Sequence, residues 1–272
     1  MIPLPRFDLS DTVSPCVPLP QSPEFARALA ALGAPLRRHA AAGVTWQARE
    51  RRLGPLGRVA VISRGPVGAA ADRAAWLRDV ARHQPGAVLL EAENFAPDAL
   101  RAAGFWPLVT PASLALLPLG DAARMRAAMH QKWRNRLVRA EGTELRVSRT
   151  PLRDGHWLLA ADAAQARARG YRPMPAAVSL AFARENPGAA IVFEARRGAE
   201  PLAAVLVLRH GAMATWQIGH ATEAGRAVNA MNLVLWQATV ALAAAGHAVL
   251  DLGLVNGDDA PGIARFKLGT GA

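Results

Sequence analysis

Apolar and polar positions along the chain fall into short runs that alternate between two periods. Apolar runs predict buried strands at 58–63 (RVAVIS), 87–92 (AVLLEA) and 113–117 (SLALL), and an alternating run predicts another at 44–52. Apolar residues three or four apart predict helices at 23–32, 69–82 and 97–103, the last closed by Gly104. Residues 1–23 are rich in proline and predict irregular backbone. Over 120–142, Ala122, Met125, Met129, Trp133, Leu137 and Ala140 form one apolar stripe, which predicts a single long helix. A second set of elements begins at 144–148, with helices over 155–169 and 175–186. Three apolar runs follow at 190–195, 202–209 and 212–219, with Gly198 and Gly211 between them, and predict a meander of hairpins. A loop at 220–228, a helix over 229–245 and a strand at 248–252 come next, and Gly, Asp and Asn make 253–262 an exposed loop. Strands alternating with helices imply an α/β layered fold.

Composition narrows the classes. At 272 residues, 51% of them hydrophobic, the chain can build one large domain or two modest ones. A single cysteine, Cys16, excludes an intrachain disulfide and a cysteine-cluster metal site. The N-terminal stretch lacks a basic start followed by an apolar run, so no secretory signal is predicted. The longest apolar candidate, 231–245, is too short for a membrane span and carries Asn232 and Gln237. These features predict a cytoplasmic protein with no transmembrane segment. The net charge of +11 points to polyanionic partners: nucleic acid, phosphorylated ligands or an anionic surface. Abundant Arg, Ala, Gly and Pro also fit a GC-rich coding sequence, so part of that charge is compositional. Against this Arg habit, Lys132 and Lys267 are the only two lysines, and an ammonium does what a guanidinium does not. No HxH or HExxH spacing, nucleophile elbow, P-loop or dinucleotide glycine fingerprint is present, so no metal site is predicted.

Three stretches carry candidate chemistry. On the 120–142 segment, Arg124, Arg126, His130, Lys132, Arg134, Arg136 and Arg139 are opposed only by Asp121 and Glu141. Such crowding repels, and either a bound polyanion or solvent relieves it. The loop TEAGRA, 222–227, leads into a predicted helix whose first N–H groups suit a phosphate, with Arg226 beside them and Asn229 as a good N-cap. Finally, Arg265, Phe266 and Lys267 set an aromatic ring between two cations. That fits a ligand carrying a base and phosphate, and equally a surface turn around one buried Phe.

The strand followed by Arg64-Gly65-Pro66, the spacing of Lys132, Arg134 and Ala140, and the C-terminal pattern DLG, loop, G-I-x-x-F-K-x-x-x-G resemble the FemAB-like transferases, relatives of the GNAT acyltransferases. The resemblance covers most of 57–271 and implies two GNAT-like units, each a mixed, largely antiparallel sheet flanked by helices. The expected division is 1–142, a diverged unit ending in the basic helix, and 143–272, the acyltransferase unit. The implied reaction is transfer of an acyl or aminoacyl group to an amine, forming an amide, with aminoacyl-tRNA as donor and no permanently bound cofactor. The implied acceptor is a small-molecule or lipid-linked amine such as a peptidoglycan precursor, whose diphosphate would suit Arg64, Arg134 or Arg136. Phe266 and Lys267 would lie near the acceptor end of the aminoacyl-tRNA, with Lys267 facing the oxyanion. Asp251, Asp258 and Asp259 are near in sequence and are expected to be solvated loop carboxylates.

Two departures matter. GNAT enzymes that use acetyl-CoA carry Arg or Gln, then Gly and a small residue, in the phosphate loop; Gly225 and Ala227 match, but Thr222 replaces the first residue and Glu223 adds a negative charge. The family pattern also continues with a further strand, whereas this sequence stops at Ala272, being naturally short or truncated. An acyltransferase dependent on acyl-CoA or acyl-carrier protein stays open as an alternative, as does a non-catalytic RNA-binding module. Oligomeric state is left open.

Overall fold

The computed structural model describes residues 16–52, 54, 57–257 and 260–272. The chain divides into two compact units, one up to Thr110 and one from Pro111 to Ala272.

In the first unit, α1 (Pro23–Ala31) starts behind Ser22, whose Oγ accepts the Phe25 N–H at 3.2 Å. β1 (Arg37–Ala41) and β2 (Val44–Arg52) form a hairpin across Ala42 and Gly43, both at positive φ. β3 (Arg58–Ser63), α2 (Ala70–Arg78), α3 (Val80–His83), β4 (Ala87–Glu91) and α4 (Pro97–Ala102) follow. The sheet order is β1-β2-β3-β4, with β3 and β4 parallel and the other pairs antiparallel. Trp46, Ile62 and Trp76 centre its core. The helix expected over 69–82 is interrupted at Asp79, which lets Trp76, Leu77 and Val80 all reach that core. β1 was not expected, because its sequence, RRHAA, has no apolar face; it is an edge strand, where charges guard against mispairing.

The second unit runs β5 (Ser113–Pro118), α5 (Ala122–Ala128), α6 (Gln131–Glu141), β6 (Arg146–Pro151), α7 (Trp157–Arg169), α8 (Ala176–Glu185), β7 (Ala190–Arg197), β8 (Glu200–His210), β9 (Met213–Ala221), α9 (Glu223–Ala227), α10 (Ala230–Ala244), β10 (Val249–Val255) and α11 (Pro261–Leu268). Its six strands lie in the order β5-β10-β9-β8-β7-β6. Only β9 and β10 are parallel among the described pairs of this sheet. Both sheets are therefore mixed and flanked by helices, as the sequence implies. β8, buried along most of its length, is the spine, and α10 and α6 cover one face of it with Leu137, Val205, Val207 and Val234.

The boundary lies at 110/111 and not at 142/143. β5 pairs with β10, more than a hundred residues later, and α6 packs on α10, so both belong with the acyltransferase sheet. The helix expected over 120–142 is two helices. Met129 and His130 take extended ψ values of 142° and 140°, and the His130 N–H donates to the Gly269 carbonyl at 3.0 Å. The apolar stripe survives the break because Met125, Met129 and Trp133 are all buried. The expected loops at 220–228 and 253–262 are shorter than the sequence suggests, since α9, the end of β10 and the start of α11 occupy parts of them.

Candidate active site

β9 and β10 run side by side for three residue pairs, Val249 with Met213, Leu250 with Ala214 and Asp251 with Thr215. Beyond these, β9 continues to Ala221 and β10 to Val255 without pairing to each other. β10 bulges against β5, its register jumping from Asp251–Leu116 to Leu254–Leu114. The two parallel strands thus part at their carboxyl ends, the end of a parallel pair where ligands bind in open α/β sheets. On the other side of β9 the ladder to β8 skips Gln217, pairing Ile218 with Leu206 but Trp216 with Val207. The skip turns Trp216 and Ile218 to opposite faces. The Trp216 ring then lies against Gly219, where a Cβ would fall 2.4 Å from a ring atom, and its Nε1 donates to the Ile218 carbonyl at 2.8 Å.

α11 brings Phe266 and Lys267 to this opening. Phe266 packs between Trp133 of α6 and Trp216 of β9, at 5.7 and 6.1 Å between ring centroids. Lys267, half-buried, donates from Nζ to the Leu254 carbonyl at 2.8 Å and lies 5.8 Å from the centre of the Trp216 ring. Burial pushes its pKa down, and the negative charge of Asp251 opposes that shift. Asp251 is only 1% exposed and its Oδ1 accepts the Gly253 N–H at 2.7 Å, so the solvated loop carboxylate expected there is a buried one. It lies within a strand that two neighbours flank, which its local sequence does not reveal. Asp258 and Asp259 lie outside the described residues. The pattern F-K-x-x-x-G has a packing basis. Gly269 presses on Trp133, and Gly271, at φ 101°, sits where a Cβ would be 3.2 Å from Ala128.

The remaining candidates separate. Arg265 is exposed on α11. Lys132 and Arg136 are exposed on α6 together with Arg139, one stripe of positive charge, while Arg134 is half-buried and its Nη2 donates to the Met129 carbonyl at 3.3 Å. Arg64 belongs to the first unit, where its guanidinium forks onto Glu93 at 2.7 and 3.1 Å. An internal carboxylate therefore already answers the charge expected to meet a diphosphate. Arg226 turns to the Ala221 carbonyl at 2.6 Å. The Gly225 N–H is taken by Thr222 Oγ1, and a Cβ at Gly225 would fall 2.0 Å from the Leu202 carbonyl oxygen. This glycine answers to packing on β8, and Thr222 caps α9. Asn229 is the N-cap of α10, as expected, but it stands in the left-handed region and makes no side-chain cap bond. The sequence reading missed Trp216 as a wall of the site, since only the skipped residue in β9 reveals its face. Among the described residues no group of three or more His, Cys, Asp or Glu could hold a metal, and no helix is long and apolar enough to cross a membrane.

A family model described as an acetyltransferase (GNAT) domain matches residues 123–268, more than half of the chain, from α5 to the end of α11. The chain belongs to this GNAT family. It is an acyltransferase, and every element of the site just described, from Trp133 to Lys267, lies inside the GNAT match. Among solved structures, FemX is similar with a TM-score of 0.73 at 13% identity, over 95% of this chain and 90% of that one. The C-terminal domain of a protein assigned as a lysylphosphatidylglycerol synthetase from Agrobacterium fabrum is similar at 0.52 and 15% identity, over 86% and 75%. L-PGS from Bacillus licheniformis is similar at 0.51 and 10% identity, over 86% and 76%. At such identities the likeness is one of fold, and the fold of this GNAT protein is FemAB-like. No curated protein matches the sequence.

Proposed function

We propose that this GNAT protein transfers an aminoacyl group from aminoacyl-tRNA to the amine of a peptidoglycan precursor, with Lys267 stabilising the oxyanion. The observation that carries the reading is the half-buried Lys267 ammonium, fixed on the Leu254 carbonyl beside Trp216 where β9 and β10 part. In such a reaction the amine attacks the ester carbonyl and an amide C–N bond forms. The ester C–O bond breaks, and the leaving hydroxyl ends with a proton that the amine has lost. Negative charge gathers on the carbonyl oxygen in between. A fixed cation in a partly dehydrated site meets that charge without reorganising.

Three features favour tRNA as the donor's carrier. The exposed stripe of Lys132, Arg136 and Arg139 suits a phosphate backbone. The 222–227 segment is engaged by its own contacts, with Arg226 on Ala221 and the Gly225 N–H on Thr222. One neighbour in fold is named for lysylphosphatidylglycerol, itself an aminoacyl compound. The second reading, an acyl-CoA donor, is favoured by the description of the matched family as acetyltransferase. Binding of charged tRNA, uncharged tRNA and acyl-CoA to the purified protein at one fixed salt concentration separates them. The proposal expects charged tRNA to bind more tightly than uncharged, and that preference to shrink in Lys267→Ala. Binding of acyl-CoA alone supports the second reading. Equal, salt-sensitive binding of both tRNAs, unchanged by the substitution, means a charged surface and no donor site.

A further inference from the structure

A lysine beside a reacting carbonyl can act as a neutral amine, attacking or taking a proton, or as an ammonium that donates N–H to an oxyanion. Burial of Lys267 favours the first, and the charge of Asp251 favours the second. We propose that Asp251 is a positioning residue that shapes the strand end on which Lys267 is held and sets negative charge beside it. The proposal rests on the role given to Lys267 above.

Asp251 is the last residue of β10 paired on both sides, with Thr215 of β9 and Leu116 of β5. Its Oδ1 accepts the Gly253 N–H at 2.7 Å, closing a turn across Leu252. The register against β5 jumps at that turn, and Gly253 takes φ 77°, a conformation that suits glycine. The next residue, Leu254, offers the carbonyl that receives Lys267 Nζ at 2.8 Å. One carboxylate thus sets the bend that presents the acceptor and supplies negative charge to the cation that uses it. Burial lowers the pKa of Lys267, and the charge of Asp251 works against this.

The other groups around the pair act differently. Trp216 of β9 offers a ring face, which also favours a cation. His210 of β8 is bonded through Nε2 to Thr215 Oγ1 at 2.8 Å, beside Asp251 in the sheet. Arg265 of α11 is exposed, and His130, between α5 and α6, binds the Gly269 carbonyl through its backbone N–H. Among these described neighbours the carboxylate is Asp251.

The sequence makes the test clean, because Lys132 and Lys267 are the only lysines and Lys132, exposed on α6, is an internal reference. Trace acetylation of the whole protein with acetic anhydride across a pH series, read by mass spectrometry, gives a titration midpoint for each lysine. In Asp251→Asn the Lys267 midpoint should fall by about one pH unit or more, roughly tenfold in its ionisation constant, while that of Lys132 stays. Asp251→Ser, whose hydroxyl can still accept the Gly253 N–H, should show the same fall. An unmoved Lys267 midpoint in a folded variant overturns the proposal. The catalytic reading fails separately, if Lys267→Ala leaves turnover intact.

Discussion

Two histidines in the acyltransferase unit are held away from their charged form. Burial lowers the pKa of His220, with the charge of Arg226 adding to the effect and Asp162 opposing it. Burial and the neighbouring Arg209, whose Nε donates to His247 Nε2 at 2.8 Å, lower that of His247. In the unfolded chain both return to about 6.5 and bind protons that the folded chain refuses. The sign is therefore loss of stability as pH falls below about 6.5 and on through the lower folded values. Asp162 acts the opposite way further down, because burial raises its pKa and protonation relieves that cost. The expected outcome is a melting temperature that drops between neutral pH and pH 5, and a visibly flatter profile in His220→Gln/His247→Gln. An identical pH profile in that double variant would contradict this. None of it is legible in sequence, where single histidines among turns read as structural or solvent-facing. The same holds for Gly219 and Gly225, whose missing Cβ atoms make room for the Trp216 ring and the Leu202 carbonyl, partners brought near only by folding.

At the level of elements, the apolar runs at 58–63, 87–92 and 113–117 and the meander after 190 were legible as strands from their apolar residues and the turn residues around them, although β4 is not the buried strand expected, with Leu89 exposed. β1 was hidden by an edge strand's polarity. The breaks at Asp79 and Met129–His130 were hidden because an apolar stripe reports which side is buried, not whether the axis is continuous. The second break is held from a distance, by the His130 N–H on Gly269 and by the close approach of Gly271 to Ala128. Gly271→Ala should therefore destabilise the protein by about 1–3 kcal/mol in denaturant unfolding, from the strain of φ 101° and the contact it creates. A change below a few tenths would mean that this C-terminal turn does not brace the helix pair. The F-K pair was legible as a pattern, while its walls, Trp133 and Trp216, came from α6 and β9 and were not.

At the scale of the whole molecule, the two-unit GNAT architecture could be read from motif order, but its division could not, because β5 joins β10 across most of the second unit's sequence. A chain of residues 111–272 should fold cooperatively, whereas one of 143–272 lacks β5, α5 and α6 and should not; circular dichroism melting distinguishes them. Equal cooperativity of the two would contradict the boundary at 110/111. The account as a whole turns on whether an ammonium at the parting of β9 and β10 serves aminoacyl transfer. The direct measurement is amide formation on a peptidoglycan-precursor amine, with aminoacyl-tRNA or acyl-CoA as donor, by the wild type and by Lys267→Ala. The account predicts product from aminoacyl-tRNA and a loss of rate on the order of a hundredfold in the variant, with folding unchanged. Full activity without Lys267, or product from acyl-CoA alone, would contradict it.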